Sequence, residues 1–96
     1  MAIGISLVNF TDQGIRNIKD SPKRAAAFRE LAKKQGVAVR DVYWTTGQYD
    51  MVVIAEGTDE ALTALLLSVG RLGNVRTQTL RGMDGETFQR VLEKVS

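Results

Sequence analysis

Large apolar residues alternate with small ones at the start of the chain, and this period of two predicts a first β-strand over residues 3–10. A polar segment follows the strand. Ser21 and Pro22 then predict a helix start, because a serine hydroxyl can cap a helix and proline lacks only an N–H that has no intrahelical partner there. Apolar residues recur at helical spacing over residues 25–32, and Gly36 is expected to end the helix.

Two further strands are predicted over residues 37–46 and 49–56. The dipeptide 47–48, Gly-Gln, fits a two-residue hairpin turn of type II′, which favours glycine at its first central position. This turn sets the register, so that Trp44 faces Met51 across the pair of strands.

The predicted register also assigns side chains to the two faces of the sheet, because successive side chains of a strand alternate. Trp44 and Tyr49 share one face, which we expect to lie under the helices. Val39, Asp50 and Val52 share the other. Both faces have an apolar centre, and this pattern predicts that each of them is covered.

The second half of the chain continues in the same manner. Thr58 is expected to cap a second helix whose apolar stripe runs over residues 62–72, and Gly73 ends it. Residues 75–81 alternate and predict a fourth, more polar strand near a sheet edge. Residues 84–95 repeat apolar positions at helical spacing and predict a terminal helix.

The predicted order is therefore β-α-β-β-α-β with a C-terminal helix, an α+β pattern of the ferredoxin-like kind with a four-stranded antiparallel sheet. Both crossover helices of that fold pack on one face of the sheet. Because the other face also has an apolar centre, we expect a second copy of the chain to dock there, sheet against sheet, as a homodimer or higher homo-oligomer.

Composition indicates one ordinary globular domain over residues 1–96. Apolar residues make up 44% of the 96 positions and charged residues 25%. The longest apolar run, residues 51–55, is far too short to span a membrane, and the N-terminus lacks the features of a signal peptide. These features, with the absence of cysteine, lead us to expect a cytoplasmic protein without membrane partners.

The net charge of +2 conceals an asymmetry along the chain. Residues 1–40 carry eight basic and three acidic side chains, whereas residues 41–70 carry five acidic and no basic ones. The basic residues lie on or beside one alanine-rich helix, which is typical of a solvated helix face rather than of a nucleic-acid-binding stripe. Pairing with the acidic segment of another subunit is the alternative.

Several segments together resemble the GYD-domain family, small bacterial and archaeal proteins. The resemblance covers roughly residues 3–82 and includes the helix start Ser21-Pro22-x-Arg24. Its most characteristic parts are the hairpin Gly47-Gln48-Tyr49-Asp50, the strands on either side of it, and the run from Gly73 to Leu80. The resemblance implies a fold of the dimeric α+β barrel type and assigns no catalytic residue.

The absence of histidine and cysteine excludes several common mechanisms. Zinc would lack its usual ligands, haem its usual axial ligands, and a Ser-His or Cys-His pair cannot form. The chain also has no phosphate-binding glycine loop. We therefore expect no metal and no cofactor.

Asp50 and Tyr49 are the strongest candidates for a functional site. Asp50 lies beside the predicted turn, where partial desolvation would suit a general base. We favour a structural role over that of a general base, with the carboxylate accepting hydrogen bonds from backbone N–H groups or pairing with an arginine. Tyr49 is either a cross-strand packing residue or a ligand contact. Tyr43, Asp41 and Glu56 are weaker candidates for proton transfer.

Trp44 and Arg24 complete the candidate ligand-binding residues. Trp44 is expected in the core or an interface, with a pocket lining as the alternative. Arg24 lies in the first turn of a helix, where the helix dipole disfavours a cation. An ion pair with Asp50 or another carboxylate is favoured, and binding of an anionic ligand is the alternative.

These residues leave three functions open. The favoured one is a non-catalytic, homo-oligomeric module that binds a small molecule or regulates, with a pocket between helices and sheet near Tyr49, Asp50 and Trp44. The first alternative is a cofactor-independent enzyme, similar to a monooxygenase or an isomerase, in which Asp50 or a tyrosine transfers a proton. The second is a purely structural assembly unit. The ligand and any reaction are not specified by the sequence.

Overall fold

The structure, a computed structural model, describes residues 1–96. Four strands, four α-helices and one 3-10 turn follow one another along the chain: β1 (Ala2–Phe10), α1 (Asp12–Arg16), the 3-10 turn (Ile18–Asp20), α2 (Ser21–Lys34), β2 (Ala38–Trp44), β3 (Met51–Gly57), α3 (Asp59–Gly70), β4 (Val75–Gly82) and α4 (Gly85–Leu92). The short helix α1 and the 3-10 turn occupy the polar segment to which the sequence assigned no element.

The strands form one antiparallel sheet with the order β2-β3-β1-β4. Strand β1 is central, because it pairs with β3 on one side and with β4 on the other. This order with its two crossover helices is the ferredoxin-like α+β arrangement, as predicted. Strand β4 lies at an edge, which agrees with its polar character.

The pairing of β2 with β3 confirms the predicted register, since Trp44 lies opposite Met51 and Tyr43 opposite Val52. The predicted two-residue turn between these strands is wrong. Strand β2 ends at Trp44 and β3 begins at Met51, and a six-residue loop joins them. The Thr45 hydroxyl donates to the carbonyl of Tyr49 at 2.7 Å. A side chain that bonds nearby backbone in this way competes with the strand ladder.

A β-bulge in β2 changes the face assigned to Val39. The register shifts between Val39 and Asp41, so that Arg40 is the extra residue and Val39 lies opposite Ala55. One extra residue reverses the alternation of side chains. Val39 therefore packs against the core beneath the helices, and its predicted place on the face of Asp50 is wrong.

The core lies between the sheet and the helices α2 and α3. Its largest cluster contains Ala32 from α2, Leu62 and Leu65 from α3, and Val37 and Ala55 from the sheet side. A second cluster contains three strand residues, Val8, Met51 and Val53.

The predicted N-terminal cap is confirmed for α3 and is wrong for α2. Thr58 caps α3, because its hydroxyl accepts the N–H of Ala61 at 3.1 Å. Ser21 does not cap α2. It is the first residue of that helix, and its buried hydroxyl accepts the indole N–H of Trp44 at 2.9 Å.

The opposite face of the sheet, here called the open face, carries no helix. Residues such as Ile5, Leu7, Val52 and Ile54 alternate with the buried residues of β1 and β3 and are only half-buried. The exposed fraction of Leu80 on β4 is 47%. None of the helices is long and apolar enough to cross a membrane.

Helix α4 projects from the sheet after a side-chain cap. The carboxylate of Asp84 accepts the backbone N–H of Thr87 at 2.8 Å, and this bond lowers the pKa of Asp84 below its ordinary value. Phe88 and Leu92 on this helix are exposed by 50% and 45%. The helix thus presents an apolar side that no other part of the chain covers.

Gly14 holds α1 against the connection between α3 and β4. A Cβ at this position would overlap the carbonyl oxygen of Asn74. The neighbouring Thr11 fastens the same contact, since its N–H donates to the Asn74 carbonyl at 3.1 Å and its hydroxyl donates to the carbonyl of Gly73. The absence of a side chain at Gly14 is therefore a steric requirement.

We predict that Gly14→Ala destabilises the fold, because the added methyl forces the two segments apart. The expected loss in free energy of unfolding is about 1–3 kcal/mol, the usual range for overpacking. Urea unfolding at a fixed protein concentration measures it. The control is Gly70→Ala at the end of α3, where a Cβ meets nothing within 4 Å. This control is expected to raise the free energy of unfolding by about 0.4–1 kcal/mol, and equal effects of the two variants would contradict the packing argument.

Candidate ligand-binding site

A cavity of about 290 Å³ lies between α2, α3 and the covered face of the sheet. Hydrophobic residues make up 13 of the 18 that line it, so its surface is mainly apolar. Both helices and all four strands contribute, with Val8, Phe10, Phe28, Met51, Leu66 and Val69 among the lining residues. On α2 the lining includes Ala25 and Ala27, whose small side chains leave space beside the sheet. The volume falls just below the usual range of ligand pockets, so the cavity suits a small molecule.

Arg24 is the only ionisable side chain that lines this cavity. Its guanidinium donates to the carbonyl of Asn17 at 2.8 Å and to that of Gly14 at 3.3 Å. The predicted ion pair with Asp50 or another carboxylate is wrong, since the ion pairs of the structure involve Arg40, Arg81 and Arg90 instead. Arg24 turns back from the first turn of α2 toward the carbonyls at the end of α1 and forms no ion pair with a carboxylate.

Two uncharged polar residues line the cavity near Arg24. Ser21 precedes Arg24 by three positions on α2, so both residues lie on one side of that helix. Asn74 contacts Gly14, whose carbonyl Arg24 binds. Together Ser21, Arg24 and Asn74 form the polar end of the cavity.

The carboxylate of Asp50 has a structural role at the end of β1. Its Oδ2 accepts the backbone N–H of Phe10 at 2.9 Å, and the Asp50 N–H donates to the carbonyl of Val8 at 2.8 Å. This is the role that the sequence left open as the alternative to a general base. Asp50 does not line the cavity, although Phe10 and Val8 do.

Tyr49 lies on the open face, and its predicted place under the helices is wrong. Its hydroxyl donates to Oε1 of Gln78 at 3.1 Å. Gln78 lies opposite Leu7 of β1, whose side chain alternates with those of the cavity-lining Ser6 and Val8. The prediction failed because residues 45–50 form a loop, in which strand alternation no longer applies.

Trp44 is connected to the cavity only by its hydrogen bond to Ser21. Its indole N–H binds the Ser21 hydroxyl, and 48% of the residue remains exposed. Trp44 itself does not line the cavity. Of the four predicted ligand-binding residues, the structure places only Arg24 at the cavity.

Sequence reasoning missed Asn74 and Phe10 as cavity residues. Phe10 ends β1 and pairs with Val75, the first residue of β4, so Asn74 must lie beside the end of β1. The signal for this proximity is the antiparallel pairing of the first and last strands in the predicted fold. It required the pairing of two strands more than sixty residues apart.

Helices on one face of a four-stranded antiparallel sheet, joined in the order found here, define a ferredoxin-like α+β domain. The model of the GYD domain matches residues 5–92 of the sequence. The chain therefore belongs to the GYD-domain family, as the hairpin and the segments around it indicated.

Comparison with solved structures gives a similar fold in the crystal structure of MtbAldR, with a TM-score of 0.61 and 16% sequence identity. The match covers 86% of this chain and 52% of that one, so the chain spans about half the length of MtbAldR. At this identity the likeness shows the fold. No curated protein matches the sequence.

We predict that Asp50→Ala lowers the free energy of unfolding by about 1–3 kcal/mol, because the partly buried N–H of Phe10 then lacks its acceptor. Asp50→Asn retains an acceptor oxygen and is expected to cost less. Urea unfolding measures both variants. The control is Asp41→Ala, which removes only a 3.3 Å bond from the exposed Tyr43 hydroxyl. A control as destabilising as Asp50→Ala would count against the structural role.

Proposed function

We propose that the chain is a non-catalytic, homo-oligomeric module that binds a small molecule in the cavity between α2, α3 and the sheet. The observation that carries this proposal is the cavity itself, a mainly apolar space with few polar groups, three of which are Ser21, Arg24 and Asn74. An apolar site with a small number of placed polar groups is the usual form of a ligand pocket. A small domain gains core stability by filling such a space.

The lining of the cavity favours binding over proton transfer. A proton-transfer enzyme of the kind considered above needs a carboxylate or a phenol beside its substrate. The lining contains neither, since Asp50 binds the backbone of Phe10 and Tyr49 binds Gln78 on the open face. Arginine remains protonated at any ordinary pH and is a poor proton carrier.

The open face supports the homo-oligomeric part of the proposal. Its central strands carry half-buried aliphatic residues, including Ile5, Leu7 and Ile54, with Leu80 beside them on the edge strand. The apolar side of α4 is a further uncovered surface. A second copy that places its own sheet against the open face would remove the apolar residues of both sheets from water.

We predict that small apolar compounds raise the melting temperature of the protein, and that Ala25→Leu abolishes the effect by filling the cavity. Ligand at a hundredfold excess over its Kd stabilises the native state by about 2.7 kcal/mol. For a domain of this size that corresponds to a rise of roughly 10 °C or more. A thermal-shift series with octanol and octanoate makes the measurement.

The matched control for the cavity is Ala26→Leu, the same change at an exposed neighbouring position of α2 that does not line it. The control is expected to keep the full ligand response. If neither compound binds, or if Ala25→Leu and Ala26→Leu respond alike, the cavity is not a ligand site. A stable oligomer without ligand binding would leave the structural assembly unit as the function.

We also predict that Leu80→Lys weakens self-association at least about tenfold, because a lysine on the open face must lose water when a second copy docks. Sedimentation velocity over a range of micromolar concentrations gives the dissociation constant. Leu67→Lys on the outer side of α3, where Leu67 is 69% exposed, is the control and is expected to have no effect. A wild-type protein that stays monomeric at these concentrations would refute the homo-oligomer.

A further inference from the structure

We infer that the ligand of the cavity is a small apolar carboxylate, with its hydrocarbon part among the aliphatic and aromatic side chains and its carboxylate at Arg24. This inference rests on the proposed function, because it assigns the chemical class of the ligand to the same cavity. It depends on the charge of Arg24, on the donors around it and on the size of the site.

Arg24 brings a positive charge to the rim of an apolar space without a carboxylate partner. Its two hydrogen bonds to the carbonyls of Asn17 and Gly14 hold the guanidinium in place but leave its charge without a counter-ion. A guanidinium has five N–H donors, so three remain for a ligand. A cation beside a low-dielectric surface attracts an anion more strongly than a fully solvated one does.

The uncharged groups near Arg24 also offer donors. Oδ1 of Asn74 already accepts the side-chain N–H of Gln13 at 2.9 Å, and its amide nitrogen has no partner. The Ser21 oxygen already accepts from Trp44, which leaves the Ser21 O–H to donate. This end of the cavity therefore presents one cation and two neutral donors, an arrangement that matches an acceptor-only anion.

Charge and size together select a carboxylate. One guanidinium balances one carboxylate and can bind it through two parallel N–H bonds, whereas a phosphate monoester carries nearly two charges near neutral pH. The cavity of about 290 Å³ limits the apolar part to a short chain or a single ring. The exposed lysine of the same helix turn, Lys23, lies outside the lining and supplies no competing site.

The test compares octanoate with octanol, two probes that share a hydrocarbon chain and differ in charge. Isothermal titration at neutral pH and low salt gives both affinities for the wild-type protein. We expect octanoate to bind at least about tenfold more tightly than octanol. Added salt is expected to reduce this preference, since it screens the charge of Arg24. Hexanoate and decanoate then define the preferred chain length.

Substitution of Arg24 is expected to remove the preference. In Arg24→Met, octanoate and octanol should bind within about twofold of each other, while octanol binding changes little. Arg24→Lys keeps the charge and should keep most of the preference. Because Arg24 also holds two carbonyls, Arg24→Gln provides a second neutral variant that retains N–H donors. Lys23→Met is the matched control and should keep the wild-type preference.

The outcomes separate this inference from the proposed function. Equal binding of octanol and octanoate to the wild type, or a preference that survives both Arg24→Met and Arg24→Gln, overturns the carboxylate and leaves the cavity as a site for neutral ligands. Loss of the preference in Lys23→Met would show a general effect of net charge and would overturn the role of Arg24. Binding of neither probe overturns both proposals.

Discussion

A four-stranded sheet has two faces, and this chain supplies two crossover helices that pack on the same one. Helix α2 packs on β2, whereas α3 packs on β3 and β4. Where the side chains of α2 are small, the two helices do not fill the space above the sheet. The cavity and the open face both follow from this constraint. The cavity is the space that the helices leave unfilled, and the open face is the side of the sheet on which no helix packs.

The features that depend on local periodicity were predicted well from the sequence. The pairing of Trp44 with Met51, the Thr58 cap and the edge position of β4 follow from alternation, spacing and residue type. Each of these signals is contained within a few neighbouring residues. The order of elements then allowed only a few arrangements of a ferredoxin-like sheet.

The features that depend on distant partners were not predicted. The bulge at Arg40 places Val39 on the covered face of the sheet, and the hydrophobic pattern of the sequence does not indicate this bulge. The hydroxyl of Tyr49 donates a hydrogen bond to Gln78 on β4, on the far side of the central strand β1. Arg24 found two backbone carbonyls where a carboxylate was expected, because the position of α1 depends on its contact with the loop before β4. A pocket between helices and sheet could be foreseen, but its lining could not.

Strand β1 separates the cavity from the open face by a single layer of backbone. Ser6 and Val8 line the cavity, whereas the side chains of Ile5 and Leu7 lie on the other side. The effects of mutations along this strand should therefore differ between even-numbered and odd-numbered positions. Changes at Ser6 or Val8 alter the lining of the cavity, and changes at Ile5 or Leu7 alter the surface of the open face. Neighbouring residues in the sequence thus belong to two different surfaces of one molecule, the cavity and the open face.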